Sequence, residues 1–201
     1  MTKGKVGILL SGRGSNFLKI YENSLKQDSN FEISVVISNK KDARGLKKAK
    51  ELDLPSYYVS KKGKTKKEHE REIIKILKKH KVELVCLAGY MRIIGEEFVN
   101  EFKNKIMNIH PSLLPSFPGL DAQKQAIEYG VKVSGCTVHF VDNGIDSGPI
   151  IIQEPVKVEE NDDEESLSEK ILEKEHIIYS KAIKLFFENR LNIKGKKVII
   201  K

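Results

Sequence analysis

Asn108 and His110 stand two residues apart in the segment MNIHPSLLPSFPG, and Asp146 lies further along in DNGIDSGP. Together these side chains can move protons and stabilise charge. In an extended chain, residues i and i+2 project to one face, so the Asn108 amide can donate a hydrogen bond beside the His110 ring. An imidazole gains or loses a proton near neutral pH, and an aspartate brought close to it favours the imidazolium. By itself His110 reads first as a surface or a satisfied core histidine. Pro111, Pro115 and Pro118 stiffen the loop after it and end strand pairing. Gly144 and Gly148 tighten the turn that carries Asp146.

A second candidate is SGRGSN at 11–16, between an apolar run and a helical pattern. Glycines at 12 and 14 permit backbone angles closed to other residues. The N-terminus of the following helix offers unpaired N–H groups and partial positive charge. The N–H groups of Gly14, Ser15 and Asn16 can therefore cradle a phosphate, or the segment is simply a tight strand-to-helix turn. It is not a nucleotidase P-loop, because GxxxxGK[ST] is absent. It is not a dinucleotide fingerprint either. The third glycine position is Phe17, and the second strand ends in Asn39 instead of an acidic residue.

The elements that must position these residues alternate. Apolar runs at 5–10, 33–38, 57–59 and 82–88 read as strands; helical spacing runs over 17–26, 43–52, 66–80 and 93–102. In 66–80, Ile73, Ile74, Ile76 and Leu77 share one side. This alternation predicts an α/β fold: a single doubly wound, mostly parallel, Rossmann-like twisted sheet with helices on both faces. From 105 the rhythm changes. A strand at 105–109 leads into the proline-rich loop, and a helix at 121–129 follows with Asp121 as its N-cap. Strands at 131–141 and 150–158, joined by a short turn, predict an antiparallel pair at the sheet edge. Residues 163–189 read as a helix whose acidic start, EENDDEE, suits the helix dipole. The tail KGKKVIIK reads as a last short strand or a frayed end. No repeat or linker divides the chain, so one domain is expected over 1–201. Its N-terminal half, about 1–104, carries the glycine loop, and about 105–190 carries Asn108, His110 and Asp146.

The chain has 201 residues, enough to bury a core without disulfides. Cys86 and Cys136 sit in apolar runs and read as buried hydrophobes, not as a disulfide or metal pair. There is no signal-peptide pattern and no apolar run long enough to span a bilayer, so a cytoplasmic protein without a membrane partner is expected. The net charge of +8 is mostly lysine interleaved with glutamate, as in KKGKTKKEHEREIIKILKKH. No nucleic-acid motif accompanies it. It reads as a solvated surface that also attracts small anions, with no nucleic-acid partner.

Taken together, SGRGSN at 11–16, SNK at 38–40, LAGYMR at 87–92, NIHPSLLPSFPG at 108–119, HFVDNGIDSGPI at 139–150 and EHIIY at 175–179 resemble the folate-dependent formyltransferases. Within that family, the ordered set is most similar to the branch that formylates glycinamide ribonucleotide in de novo purine biosynthesis. The resemblance covers about 5–190. It implies an enzyme that takes a formyl group from 10-formyltetrahydrofolate, its co-substrate, by direct amine attack through a tetrahedral intermediate, with no metal. Asn108, His110 and Asp146 match the catalytic trio, with Asn108 also at the folate. Gly14, Ser15 and Asn16 match the loop that holds the ribose phosphate, and Glu175 the residue at the sugar or glycinamide end. Met91, Arg92, Ile93 and Ile94 match the segment lining the pterin pocket. Lys66 stands where the family often has an arginine near the folate tail; it keeps the charge but loses bidentate carboxylate binding. Leu172 replaces a lysine or glutamine near the phosphate, which leaves Arg13 as a source of charge in the loop. His139 lies seven residues before Asp146 and stays outside the catalytic set. The resemblance also implies a cis Leu114–Pro115 bond, and a monomer or homodimer acting on small molecules alone.

Overall fold

A computed structural model describes residues 3–201. Its strands join in one nine-stranded sheet of order β3-β2-β1-β4-β5-β6-β7-β9-β8. The described chain forms two compact units, one ending at Met107 and one from Asn108 to Lys201, so the division falls inside a strand.

In the first unit, β1 (Gly4–Leu10) pairs in parallel with β2 (Phe31–Ser38) on one side and β4 (Leu84–Leu87) on the other. β3 (Ser56–Tyr58) extends the sheet beyond β2, again in parallel. The β-branched runs are buried on both faces, as parallel sheets require: Val6, Ile8 and Leu9, and Val35, Val36 and Ile37, are inaccessible to solvent. The chain winds outward from β1 to β3, then returns to β4 beside β1. That reversal opens a crevice at the carboxyl ends of β1 and β4, where open α/β sheets bind ligands. Helices α1 (Ser15–Ser24) and α2 (Arg44–Glu51) pack on this sheet. Helix α3 (Lys66–Lys79) starts in a capping box, with Thr65 Oγ1 accepting from Glu68 N and the Glu68 carboxylate accepting from Thr65 N. Its buried face is His69, Glu70, Ile73, Ile74 and Leu77. Ile76, expected on that face, is only partly covered, because it falls to the side of the stripe at 3.6 residues per turn. Helix α4 (Glu96–Glu101) packs against α3.

In the second unit, β5 (Ile106–His110), which begins just before it, brings the chain to the proline-rich loop. Helix α5 (Ala122–Tyr129) follows. Asp121 does precede it, but in a left-handed conformation (φ 56°) with no side-chain cap bond, so the expected cap is not made. β6 (Val133–Phe140) and β7 (Ile150–Lys157) form the expected antiparallel pair, with a bulge between Val138 and His139. They are not the sheet edge. The tail folds into the hairpin β8 (Leu191–Lys194) and β9 (Lys197–Ile200), turning at Gly195, and β9 adds to β7. Helix α6 (Glu164–Phe187) packs on β6 and β7. The acidic run before it caps it as expected: Asp163 Oδ1 accepts from Ser166 N at 2.9 Å. Asp162 takes Lys170 at 2.7 Å, and that ammonium leads the contacts holding its carboxyl down at about 2. Cys86 and Cys136 are buried and form no disulfide, and burial pushes the Cys136 thiol up to about 12.

Candidate active site

Strand β5 places Asn108 and His110 on one face, and the turn after β6 brings Asp146 to them. Gly148 makes that turn possible, since any Cβ there would collide with the Phe140 carbonyl. Asp146 itself sits at φ 47°. The His110 ring is 5% exposed, and its Nδ1 lies 3.3 Å from Asp146 Oδ2. Its Nε2 is 2.8 Å from the Phe117 carbonyl. A carbonyl can only accept, so Nε2 carries a proton. Asn108 Nδ2 reaches Asp146 Oδ1 at 3.4 Å and His139 Nε2 at 3.3 Å. His139 Nδ1 donates to the Phe140 carbonyl at 2.9 Å. His139 Nε2 is also 3.6 Å from Asp146 Oδ1. The structure thus brings the expected trio together and adds His139 as a fourth member.

Burial and the neighbouring charges oppose each other in this cluster. Burial favours the protonated form of Asp146, but bonds from His139 and the Gly119 N–H (2.9 Å) and the neighbouring imidazoles outweigh it. Its carboxyl is therefore held below the usual range and is ionised near neutral pH. Burial pulls the His110 pKa down. The Phe117 bond and Asp146 pull it back up only in part, and His139 opposes them. Burial and the Asp146 carboxylate thus act on the His110 ring in opposite directions, with burial the larger cause.

Main-chain groups that sequence reasoning missed complete this site. Phe117 adopts φ 51°, and Gly119 φ 87°. These left-handed angles present the Phe117 carbonyl to His110 and the Gly119 N–H to Asp146. No residue type advertises such contacts; the glycine in SFPG is the one visible signal. The loop is pinned from below by Thr137, whose Oγ1 donates to the Ser112 carbonyl at 2.7 Å and accepts from the Leu114 N–H at 3.1 Å. Gln153 adds a bond to the Leu114 carbonyl at 2.8 Å. The Leu114–Pro115 peptide is cis, as expected.

In the first unit, Gly14 is the N-cap of α1 at φ 79°, and no side chain caps the helix. A Cβ on Gly14 would lie 2.7 Å from Gly45 Cα. The helix therefore begins at Ser15 and presents first-turn N–H groups that its own carbonyls do not use. Met91 and Ile93 are exposed (64% and 61%), Arg92 is half-buried and Ile94 is buried. Lys66 is exposed at the start of α3, beside Glu70. Glu70 is buried, accepts the Gly95 N–H at 2.9 Å, and has its carboxyl pushed up by burial. Glu70, Glu96, Glu97 and Glu101 line the same cavity as Lys66, an acidic setting for a residue expected near a folate carboxylate. In the second unit, Glu175 is buried on α6 with Leu172 one turn before it. Among the described residues, no helix is long and apolar enough to cross a membrane.

Known proteins resemble this chain over nearly its whole length. The phosphoribosylglycinamide formyltransferase of Bacillus subtilis is 40% identical over 194 residues, covering 96% of this chain and 98% of that protein. The trifunctional purine biosynthetic protein adenosine-3 of Chironomus tentans is 44% identical over 96% of this chain, but the chain spans only 14% of that longer protein. The crystal structure of glycinamide ribonucleotide transformylase 1 from Symbiobacterium toebii superposes with a TM-score of 0.96 at 44% identity, covering 98% of this chain and 94% of that one. The family model described as formyl transferase matches residues 4–183, and the chain belongs to that family.

Proposed function

We propose that this protein transfers the formyl group of 10-formyltetrahydrofolate to the amine of glycinamide ribonucleotide in de novo purine biosynthesis. The observation that carries the proposal is the cluster of a buried imidazole, an ionised aspartate and an amide, joined by contacts of 3.3–3.4 Å. In this reading the amine attacks the formyl carbon and a C–N bond forms. Negative charge develops on the formyl oxygen, where the Asn108 amide and the His110 ring supply donors. Asp146, directly or through a water, accepts the proton shed by the amine. His110 keeps Nε2 on the Phe117 carbonyl and Nδ1 beside Asp146, and the negative charge that develops nearby favours the protonated ring. The tetrahedral intermediate then collapses, the bond to N10 breaks, and the proton passes to N10 of tetrahydrofolate. No step calls for a metal.

In the same reading, the N–H groups of Gly14, Ser15 and Asn16 hold the ribose phosphate, and Glu175 meets the ribonucleotide. Met91, Arg92, Ile93 and Ile94 line the pterin. Lys66 serves the folate tail, and the acid groups around it make that contact weak. The two units act as one functional domain, as a cytoplasmic monomer or homodimer with small-molecule partners alone. The test is a formyl-transfer assay from 10-formyltetrahydrofolate with glycinamide ribonucleotide, tRNA and water as competing acceptors. Ribonucleotide-dependent turnover is expected; release of free formate at an equal rate without the ribonucleotide would overturn the assignment.

A further inference from the structure

Ser11 lies where β1 ends beside β4, at the reversal of the first unit. It is 2% exposed. Its hydroxyl donates to Asn39 Oδ1 at 2.6 Å and accepts the Met91 N–H at 2.9 Å. Its own N–H donates to the Gly89 carbonyl at 3.0 Å. A serine hydroxyl has one proton to give, so donation to Asn39 leaves a lone pair for Met91. The next residue opens the Gly12–Asn16 loop, whose Gly12 carbonyl accepts the Gly45 N–H at 3.0 Å. One buried side chain therefore joins the phosphate loop to the segment 91–94. The Met91 and Ile93 side chains of that segment are exposed, and Ile94 is buried.

From this geometry we infer that Ser11 is a positioning residue that couples ribonucleotide binding to folate binding. The inference rests on the formyl-transfer reading above. A phosphate on the loop orders the main chain leading into Ser11, which sets the hydroxyl and through it the Met91 N–H. The segment then meets the pterin already ordered. The ligand that binds second bears less of the ordering entropy, and the effect is the same in either direction. Asn39 belongs to the same device, because it orients the hydroxyl.

The experiment is calorimetric titration with tetrahydrofolate, which carries no formyl group and so does not react, with and without saturating glycinamide ribonucleotide. In the parent protein the ribonucleotide is expected to tighten the folate about fivefold or more, the usual lower range of coupling between sites. In Ser11→Ala that factor falls toward one. Asn39→Ala does the same with Ser11 intact, and it decides the matter if Ser11→Ala fails to fold. A merely structural role for Ser11 would weaken both ligands or lower the melting temperature while leaving the coupling factor unchanged, and that result overturns the inference. Parent protein that binds both ligands without mutual effect also overturns it. Parent protein that binds neither ligand sinks the formyl-transfer reading itself, and the coupling with it.

Discussion

The Gly12–Asn16 loop and the cluster of Asn108, His110 and Asp146 are assembled from different materials. Gly12–Asn16 takes its shape from contiguous main chain: a left-handed Gly14, a close Gly45 and a helix start without a side-chain cap. The cluster joins side chains from β5, β6 and a turn, spread from Asn108 to Asp146, and adds carbonyl and N–H groups from Phe117, Phe140 and Gly119. Its polar contacts to Asp146 are long, at 3.3–3.6 Å, save for the Gly119 bond. Its charges are also opposed by burial, which lowers His110. A main-chain cradle has no titratable group and can be preformed. A titrating cluster answers to burial and to charge, which oppose each other there. Substitutions in the two regions should therefore fail in different ways.

The largest effect is expected at Asp146→Asn, which keeps the shape and removes the charge. Turnover should fall on the order of 10²–10⁴, the usual worth of positioned proton transfer, with ribonucleotide affinity nearly unchanged. If His110 and Asp146 serve one transition state, His110→Ala combined with Asp146→Asn should cost far less than the product of the single losses. Rate measurements on the three variants test this, and strictly multiplicative losses would break the picture of a unit.

Gly14→Val should fail in the opposite manner. A β-branched residue at φ 79°, with its Cβ 2.7 Å from Gly45 Cα, either bears about 1–3 kcal/mol of strain or pulls the loop out of shape. Ribonucleotide affinity should drop on the order of tenfold, which corresponds to about 1.4 kcal/mol. Affinity for tetrahydrofolate, titrated alone, should barely move. Equal losses for both ligands would show the loop to be scaffold and not a phosphate site.

The titrating character of the cluster should also appear in stability. His110 has a folded pKa below its ordinary value, so the unfolded chain binds its proton more readily. The stability it contributes is complete above the unfolded pKa of about 6.5 and is lost as pH falls through the folded value. Asp146, also depressed, acts in the same direction but only below about pH 4. The melting temperature should therefore be lower at pH 5.5 than at pH 7.5, and His110→Asn should flatten that decline. An identical pH dependence in the variant would mean that His110 binds its proton equally well in the folded and unfolded chain.

The smallest effect belongs to a control outside both regions. Asp163→Ala removes the side-chain cap of α6 and should cost about 1 kcal/mol, a drop of about 2–4 °C in melting temperature for a domain of this size. Turnover and both affinities should remain at parent values. A change in either would tie the helix start to the site.

Much of this protein was written in local patterns. The β-branched runs ending at Leu10, Ser38 and Leu87 specify the parallel strands, because a strand covered on both faces must be apolar throughout. SGRGSN announces the helix start, since glycine angles and a helix N-terminus are properties of neighbouring residues. The acidic residues before α6 cap it as the sequence suggests. Asn108 and His110 share a face because a strand repeats every two residues. The family resemblance singled out Asp146, but its distance from His110 depends on how β5, β6 and the turn after Phe140 come together. The same is true of His139 and Ser11, each set by partners remote in sequence, and of the Phe117 and Gly119 main-chain groups, which carry no side-chain signature. The setting of His110 shows the same limit: a neighbouring carboxylate can be guessed from a motif, but the burial that opposes it is a property of the whole fold. Asp121 as a failed cap and the tail as a sheet-extending hairpin make the same point. The sequence determined which elements form and which residues hold the reactive groups; tertiary structure decided which of those groups meet, and how far desolvation shifts them.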